Sequence, residues 1–325
     1  MSQETFRTLI VANPQSANGA LGRRWDELQQ IITTNFGACD HRFTRGPGDG
    51  AHVTHEALAQ GYEMIVAMGG DGTISEVADG FFTPAGQAIR PDAVLGVLPF
   101  GTGGDFRKTI GAPKQLAAGA AALRGRATQA IDVGRLTYTT PDERQRVRHF
   151  INIASFGIGG LVDRLVNTTT KAFGGTVSFA LATLRAMAEY VPQQVLLAVD
   201  GGRAVEVTIQ NIAVANGRFF GGGMMVAPHA RIDDGQFDVV TLGPMGLSDL
   251  LLRGHRLYSG THLNLRQVEA TRARFVEAQP VEPDEDVLLD VDGETPGKLP
   301  ASFELLPGVL RLKLPAGGAA VTRGG

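Results

Sequence analysis

The sequence lacks the features that would place the protein in a membrane or a disulfide-rich class. Its 325 residues include one cysteine, Cys39, which excludes an intrachain disulfide and a multi-cysteine metal site. No run approaches the roughly 18 apolar residues of a membrane-spanning helix, and the most apolar helical stretch, residues 177–191, carries Arg185 and Glu189. The N-terminus has no cationic start followed by an apolar core. We therefore expect a cytoplasmic protein that meets a membrane only from its side.

An excess of charge of either sign is also missing. The chain has 30 Lys and Arg against 33 Asp and Glu, a formal net charge of −3. No basic field points to nucleic acid as a partner. The chain is 43% apolar, which at this length suffices for two domains with buried cores.

Glycine is abundant, with 43 residues that cluster just after short apolar runs. In the first third, strand-like segments alternate with segments of helical apolar spacing. The strand candidates are residues 8–12, 41–44, 64–68 and 94–98, and the helix candidates are residues 23–32, 51–59 and 74–82. This alternation predicts βαβ units around a parallel sheet that is covered on both faces.

After about residue 131 the pattern changes to short strands joined by turn residues. The strand candidates are residues 150–154, 194–199, 205–214, 237–242, 287–291 and 309–314. One helical insertion is predicted over residues 176–190, and the polar, basic residues 141–148 read as a hairpin or loop. This pattern predicts a second, mainly antiparallel domain, a sandwich of two sheets, with the boundary near Asp132.

The segment Gly69-Gly70-Asp71-Gly72-Thr73 is the sharpest local signal. Glycines after a buried strand let the backbone approach a phosphate, and the N–H groups of the following helix favour an anion. Asp71 fits such a place if Mg²⁺ bridges the carboxylate and the phosphate. The spacing matches neither a P-loop nor the dinucleotide fingerprint. The structural alternative is a plain strand-to-helix turn.

A second loop of the same kind spans residues 101–106, Gly-Thr-Gly-Gly-Asp-Phe. Ligands of open α/β sheets lie outside the carboxyl ends of the strands, so two such loops can form walls of one nucleotide site. Thr102 offers a hydroxyl to a phosphate. Residues 13–17, after the first strand, form a weaker third loop at the same edge.

Three carboxylates fall within five residues in Asp290-Val291-Asp292-Gly293-Glu294. The segment reads as a turn, as the start of a calcium loop, or as the place of a general base that takes a proton from an attacking hydroxyl. EF-hand spacing is not met. The residues alone favour the turn. Upstream, Gly221-Gly222-Gly223 precedes Asp234-Gly235, which signals a hairpin.

Taken in order and spacing, these segments resemble the diacylglycerol kinase catalytic-domain superfamily. The match is to the soluble bacterial lipid kinases of the YegS/DgkB/BmrU type, which share their catalytic domain with sphingosine and ceramide kinases. The resemblance implies an α/β nucleotide-binding domain like that of NAD kinases and phosphofructokinases, and an antiparallel β-sandwich. It places the ATP-binding domain at residues 1–132 with 308–325 returning to it, and the lipid-substrate domain at residues 133–307.

The resemblance also implies which residues act. Glu294 is the expected catalytic base, with Asp292 beside it. In the mechanism that we expect, Asp71 of the first glycine loop partly organises Mg²⁺. A structural Mg²⁺ is expected at Arg231, Asp234 and Gln236, with the first and last bound through their backbone carbonyls. The nucleotide contacts carry over to Asn13, Pro14, Gln15, Ser16, Ala17, Thr44, Gly69, Gly70, Asp71, Gly72, Thr73, Ile74, Ser75 and Thr102, with Asp105 in the metal–water network. One departure is Gly104, where the family usually has Asn.

The implied function is an ATP- and Mg²⁺-dependent lipid kinase that phosphorylates a lipid hydroxyl at a membrane surface. No motif distinguishes diacylglycerol from a long-chain base or ceramide, and the oligomeric state, monomer or homodimer, is open. Two other functions stay open: a kinase for a soluble acceptor such as NAD, and a non-catalytic nucleotide or lipid sensor. The sensor is disfavoured because the catalytic carboxylates are all present.

Overall fold

A computed structural model describes residues 6–101, 103–162, 190–246 and 252–314. The helix predicted over residues 176–190 lies almost wholly outside the described residues. The chain divides into two compact units, residues 1–132 with 308–325, and residues 133–307. Each is described by itself below.

The first unit contains a parallel sheet. Its strands are β1 (Thr8–Ala12), β2 (Asp40–Phe43), β3 (Met64–Gly69) and β4 (Val94–Pro99). The order is β2-β1-β3-β4, and the end of the last strand of the chain, at Arg311 and Leu312, adds to β4 in parallel. Strands β1 and β3 are buried along their whole lengths, as expected for a parallel sheet covered on both faces.

The helices of this unit are α1 (Ala20–Arg23), α2 (Trp25–Asn35), α3 (Asp49–Ala59), α4 (Asp71–Asp79), α5 (Asp105–Ile110) and α6 (Leu116–Ala122). Apolar side chains of α2 and α6, including Trp25, Leu28 and Ala120, share one core with Met64 and Val66 of β3. Helices α3 and α4 pack against each other and against β3. The predicted βαβ organisation is confirmed.

The second unit contains two antiparallel sheets. Its strands are β5 (Gln129–Thr139, which begins in the first unit), β6 (Gln145–Phe150), β7 (Ile153–Gly157), β8 (Gln193–Val199), β9 (Val205–Ile209), β10 (Asn211–Ala215), β11 (Phe237–Leu242), β12 (Val268–Ala273), β13 (Phe275–Pro280), β14 (Leu289–Val291) and β15 (Lys298–Leu312). One sheet has the order β12-β11-β10-β7-β14, and the other joins β6, β5, β15, β13, β8 and β9. A helix, α7 (His255–Ser259), and a short 3₁₀ turn follow β11.

Phenylalanines from both sheets fill the space between them. Phe150 stacks on Phe237 with ring centroids 5.7 Å apart, and Phe156 stacks on Phe303 at 5.8 Å. All four belong to one buried core cluster. This interleaving confirms the predicted sandwich.

Several boundaries differ from those predicted. The strand predicted over residues 150–154 is two strands, β6 and β7, separated by a bend. Strands β12 and β13 and helix α6 were not predicted. Strand β15 begins eleven residues before the predicted 309. Among the described residues, no helix is long and apolar enough to cross a membrane.

Candidate functional site

The loops after β1, β2 and β3 are tied together by backbone hydrogen bonds in the first unit. The N–H of Asn13 donates to the carbonyl of Met68 at 3.0 Å, and the N–H of Thr44 donates to Ala12 at 2.9 Å. The loop after β4 joins through Phe100, whose N–H donates to Gly69 at 2.7 Å. The loops predicted to share one sheet edge are therefore neighbours.

The glycines of this edge have different neighbours. A Cβ on Gly69 would lie 2.6 Å from Thr73 Oγ1, and one on Gly101 would lie 2.9 Å from the Cα of Gly70. Both contacts are too short for a side chain, so these two positions need glycine to let the chain segments meet. A Cβ on Gly70 would meet nothing within 4 Å. Space therefore remains open at Gly70, where α4 begins.

Asn13 links the first loop to α4. Its Nδ2 donates to Thr73 Oγ1 at 3.1 Å, and its Oδ1 accepts the N–H of Gln15 at 2.9 Å. The second bond is the Asx turn that such a residue makes after a strand. The N-terminal positions of α4 and the loop at residues 13–17 are thereby fixed relative to each other.

Asp71 links the two glycine loops. Its carboxylate accepts the N–H groups of Gly104 at 2.7 Å and of Asp105 and Phe106 at 3.2 Å each. Asp71, at the start of α4, therefore caps the N-terminus of a different helix, α5. Burial and the nearby charge of Asp105 raise the pKa of Asp71 above its usual value, and the three backbone bonds oppose that shift.

The departure at Gly104 has a conformational explanation. Its φ is 71°, in the left-handed region. Glycine takes this conformation without strain, and Asn is among the residues that tolerate it best. Glycine and Asn are therefore both compatible with the backbone conformation that aims this N–H at Asp71.

Asp105 supplies a second buried carboxylate close to Asp71. Its side chain is almost fully buried, and Oδ1 lies 2.9 Å from Nζ of Lys108. Both carboxylates have donors within the protein. Carboxylate oxygen is a ligand that Mg²⁺ prefers, so the donor chemistry of the pair is compatible with a hard divalent cation.

Glu76 was not predicted as a site residue, although it lies on α4. Its two carboxylate oxygens accept the N–H groups of Gly48 at 2.7 Å and Gly50 at 3.0 Å. Glu76 therefore caps α3 and holds the chain that follows Thr44. A Glu in the second turn of a helix gives no local sequence signal for such a distant contact.

The remaining predicted nucleotide residues are distributed as follows. Thr44, Thr73, Ile74 and Ser75 are buried. Pro14, Gln15, Ser16 and Ala17 form the loop after β1, and Ala17 has a positive φ of 51°. Gly72 lies in the first turn of α4. Thr102 lies outside the described residues.

In the second unit, residues 290–294 form the turn that follows β14. The N–H of Asp292 donates to the carbonyl of Ile153, and Asp292 Oδ1 accepts the N–H of Ile153, both at 3.0 Å. Asp290 Oδ1 accepts the N–H of Gly293 at 3.0 Å. The turn favoured by the residue types is present, and it fixes both aspartates beside β7.

Glu294 differs from the two aspartates of this turn. Asp290 and Asp292 are buried, at 0% and 7% exposure, whereas the Glu294 side chain is 37% exposed. Its Oε2 lies 2.7 Å from Nη1 of Arg148. Arg148 was predicted only as the end of a polar hairpin, and the structure brings it to the predicted base.

The predicted metal residues near 234 have protein partners. Asp234 Oδ2 is paired with the guanidinium of Arg272, and its Oδ1 accepts the N–H of Gln236 at 3.3 Å. Arg231 is paired with Asp233 at 3.2 Å. Within the described ranges, no three His, Cys, Asp or Glu side chains are grouped to hold a metal ion. A cation bound by Asp234 Oδ2 would have to compete with Arg272.

Two family models match the chain. The diacylglycerol kinase catalytic domain matches residues 7–136, and the YegS C-terminal NAD kinase β-sandwich-like domain matches residues 152–314. A crystal structure of a diacylglycerol kinase from Bacillus anthracis has a TM-score of 0.68 at 20% identity, covering 97% of this chain and 100% of that one. Yeast NADH kinase, solved with NADH, has a TM-score of 0.51 at 10% identity, covering 98% of this chain and 86% of that one. These likenesses confirm the predicted fold class.

Curated relatives cover nearly the whole chain. The diacylglycerol kinase of Bacillus subtilis is 29% identical over 303 residues, 91% of this chain and 92% of that protein. A "Probable lipid kinase YegS-like" protein of Stenotrophomonas maltophilia is 33% identical over 319 residues, 96% of this chain and 97% of that protein. The chain therefore belongs to the YegS-like branch of the diacylglycerol kinase catalytic-domain family, and it is a kinase.

Proposed function

We propose that this kinase transfers the γ-phosphoryl group of ATP to the free hydroxyl of diacylglycerol, with Glu294 as the general base. The family match to a lipid kinase and the name of the Bacillus subtilis relative support the acceptor. A long-chain base and ceramide also present a hydroxyl beside acyl chains, so they are the alternatives to be tested.

The observation that carries the proposal is the exposure of Glu294. Of the three carboxylates in its turn, this one is by far the most exposed, and a general base must come within hydrogen-bond reach of the proton it takes. Asp292 is a positioning residue here, because its bonds to Ile153 hold the turn that presents Glu294.

The proposed nucleotide site lies in the first unit. The open space at Gly70 lies at the N-terminus of α4, where backbone N–H groups and the helix dipole favour phosphate. Asn13 and Thr73 frame this position. Mg²⁺ bound with the nucleotide would neutralise phosphate charge, and Asp71 and Asp105 are the residues that would hold it. At the structural cation site proposed at Arg231, Asp234 and Gln236, a cation on Asp234 Oδ2 would compete with Arg272.

The proposed chemistry is an in-line displacement. The lipid hydroxyl oxygen forms a bond to the γ-phosphorus while the bond from that phosphorus to the β–γ bridging oxygen breaks. The hydroxyl proton passes to Glu294, and ADP leaves with the bridging oxygen. Positioning and charge stabilisation dominate such transfers, so the base adds to a rate set largely by the phosphate site.

The acceptor is tested with γ-labelled ATP, Mg²⁺ and mixed micelles that contain diacylglycerol, monoacylglycerol, a long-chain base or ceramide. NAD and a sample without acceptor are the controls. Labelled phosphatidic acid is the expected product. Label on another lipid would replace diacylglycerol as the acceptor, and label only on NAD would overturn the lipid kinase proposal.

The base is tested with Glu294→Gln. Loss of a general base costs about 10²- to 10⁴-fold in kcat, and we expect ATP binding to be unchanged. Glu269→Gln, at an exposed position of β12, removes a carboxylate of the same unit and should keep the wild-type rate. A Glu294→Gln enzyme with the wild-type kcat would exclude Glu294 as the base.

A further inference from the structure

Arg148 occupies an unusual place for a charged residue. On β6 it pairs with Leu136 of β5, and Phe150 lies two residues further along the strand. Leu136 and Phe150 both belong to the buried core between the sheets. Because alternate residues of a strand share a face, Arg148 lies on the core face of its sheet. Its side chain is only 13% exposed.

A guanidinium in such a place is costly unless it is paired, since burial removes its hydration. Among the described residues, Glu294 is one partner, at 2.7 Å. Arg144, in the same hairpin, shows the ordinary alternative. It pairs with Asp142 at 3.2 Å, but these side chains are 70% and 62% exposed, and exposed pairs contribute little to stability.

We propose that Arg148 is a positioning residue that holds the carboxylate of Glu294 in the orientation needed for proton acceptance. This inference rests on the proposed function of Glu294. The pair engages Oε2 of Glu294, and the inference assigns Oε1 to the hydroxyl proton. Asp292 fixes the backbone of the turn and Arg148 fixes the side chain, so Glu294 is constrained at both ends.

A positioning role for Arg148 predicts that its substitution lowers kcat and leaves the KM for ATP unchanged. In Arg148→Met, which keeps an unbranched apolar stem, we expect kcat to fall roughly 10- to 100-fold because a small displacement of a catalytic group has an effect of this size. The KM for ATP should stay within about twofold, since nucleotide contacts are unaffected. Arg148→Lys should recover part of the loss, because it restores the charge without the planar fork. Arg144→Met is the matched control and should behave as wild type.

A double variant distinguishes positioning from a general structural effect. If Arg148 acts through Glu294, Arg148→Met should cause no further loss on a Glu294→Gln background, since residues that act as a unit are non-additive. An equal loss on both backgrounds would overturn the inference, as would a wild-type kcat for Arg148→Met. If Glu294→Gln is itself fully active, the proposed base fails; if it is inactive while Arg148→Met is normal, only the positioning role fails.

A folding defect would not obscure the result. If Arg148→Met has a lowered Tm, Arg148→Ala is assayed with and without methylguanidinium at the temperature where the variant is folded. Restoration of kcat by the added cation, at constant KM for ATP, supports the positioning role. Absence of restoration, together with a kcat for Arg148→Lys no higher than that of Arg148→Met, would overturn it.

Discussion

Asp71 and Glu294 are both carboxylates next to glycines, but they differ in their hydrogen-bond partners and in their exposure to solvent. Asp71 is held by three backbone N–H groups from residues 104–106. Among the described residues, the Glu294 carboxylate is paired with one side chain, Arg148, and the Glu294 side chain is 37% exposed. The three backbone donors to Asp71 belong to the start of α5, so they cannot move unless that helix moves. The pair with the Arg148 side chain leaves part of the Glu294 carboxylate accessible to solvent.

This contrast separates two uses of acidic residues within one enzyme. A carboxylate surrounded by main-chain donors joins two loops and keeps their spacing, so its loss should lower stability whether or not nucleotide is bound. A carboxylate with an open side and a single cationic partner is suited to take a proton, so its loss should appear first in rate. The following variants test that separation, from the largest expected effect to the smallest.

Asp71→Ala should give the largest loss of stability. It removes the acceptor of three N–H groups at the start of α5, and charge-assisted hydrogen bonds contribute about 1.5–3 kcal/mol. We expect a destabilisation of about 2 kcal/mol in urea unfolding, with faster amide hydrogen exchange at residues 104–106. Unchanged exchange rates at these amides would show that Asp71 does not hold the two loops together. Asp26→Ala, in the first turn of α2, is the control.

The pH dependence of Asp71 gives a second test of its burial. Its pKa is raised above the usual 3.8, so the folded protein holds this proton more tightly than the unfolded chain. That contribution to stability is fully present below the usual pKa and is lost as the pH rises through the raised value. Relative to Asp71→Asn, the wild type should therefore gain stability as the pH falls from neutral toward 4. A difference in urea midpoint that is constant with pH would contradict this.

Gly70→Ala tests the open side of the first unit. An added Cβ meets no protein atom within 4 Å, so the Tm should be unchanged. If phosphate approaches the backbone here, the same Cβ blocks it, and we expect roughly 10-fold weaker ATP binding by calorimetry, about 1.4 kcal/mol.

Gly101→Ala is the contrasting variant. Its Cβ would lie 2.9 Å from the backbone of Gly70, so it should lower stability by about 1–3 kcal/mol through overpacking. Gly46→Ala, with nothing within 4 Å, should change neither property. Wild-type ATP affinity for Gly70→Ala would mean that the nucleotide does not approach this backbone.

The sequence predicts the parallel sheet and its glycine loops because the signals for them lie within a few neighbouring residues. Buried strands followed by glycines, such as β3 and residues 69–72, identify the sheet and its carboxyl edge. The pattern fails at β12, where the four middle residues are exposed and no alternation marks the strand. It fails as well where a bend at residues 151–152 divides one apolar run into β6 and β7.

Contacts between residues far apart in the chain could not be predicted from the sequence, for a different reason. Arg148 in a polar hairpin and Glu294 in an acidic turn each look like solvated surface residues. Only the pairing of β5 with β6 places the arginine on the core face, and that register depends on the whole sandwich. The same holds for Asp71, whose role as a cap follows from the position of α5 and not from its own neighbours.

Ser155→Ala should give the smallest effect and tests the interior of the second unit. Ser155 is fully buried on β7, and within the described part of the chain its Oγ has no hydrogen-bond partner. Removing an unpartnered buried hydroxyl removes a desolvation cost, so stability should be unchanged or higher by up to about 1 kcal/mol.

The matched control is Thr54→Val in α3, which also removes one buried hydroxyl. Thr54 Oγ1 donates to the carbonyl of Gly50 at 2.8 Å, so its loss should cost about 1 kcal/mol. Urea unfolding of both variants at one pH compares them directly. A comparable loss in Ser155→Ala would mean that its hydroxyl has a partner in the folded protein, such as a buried water.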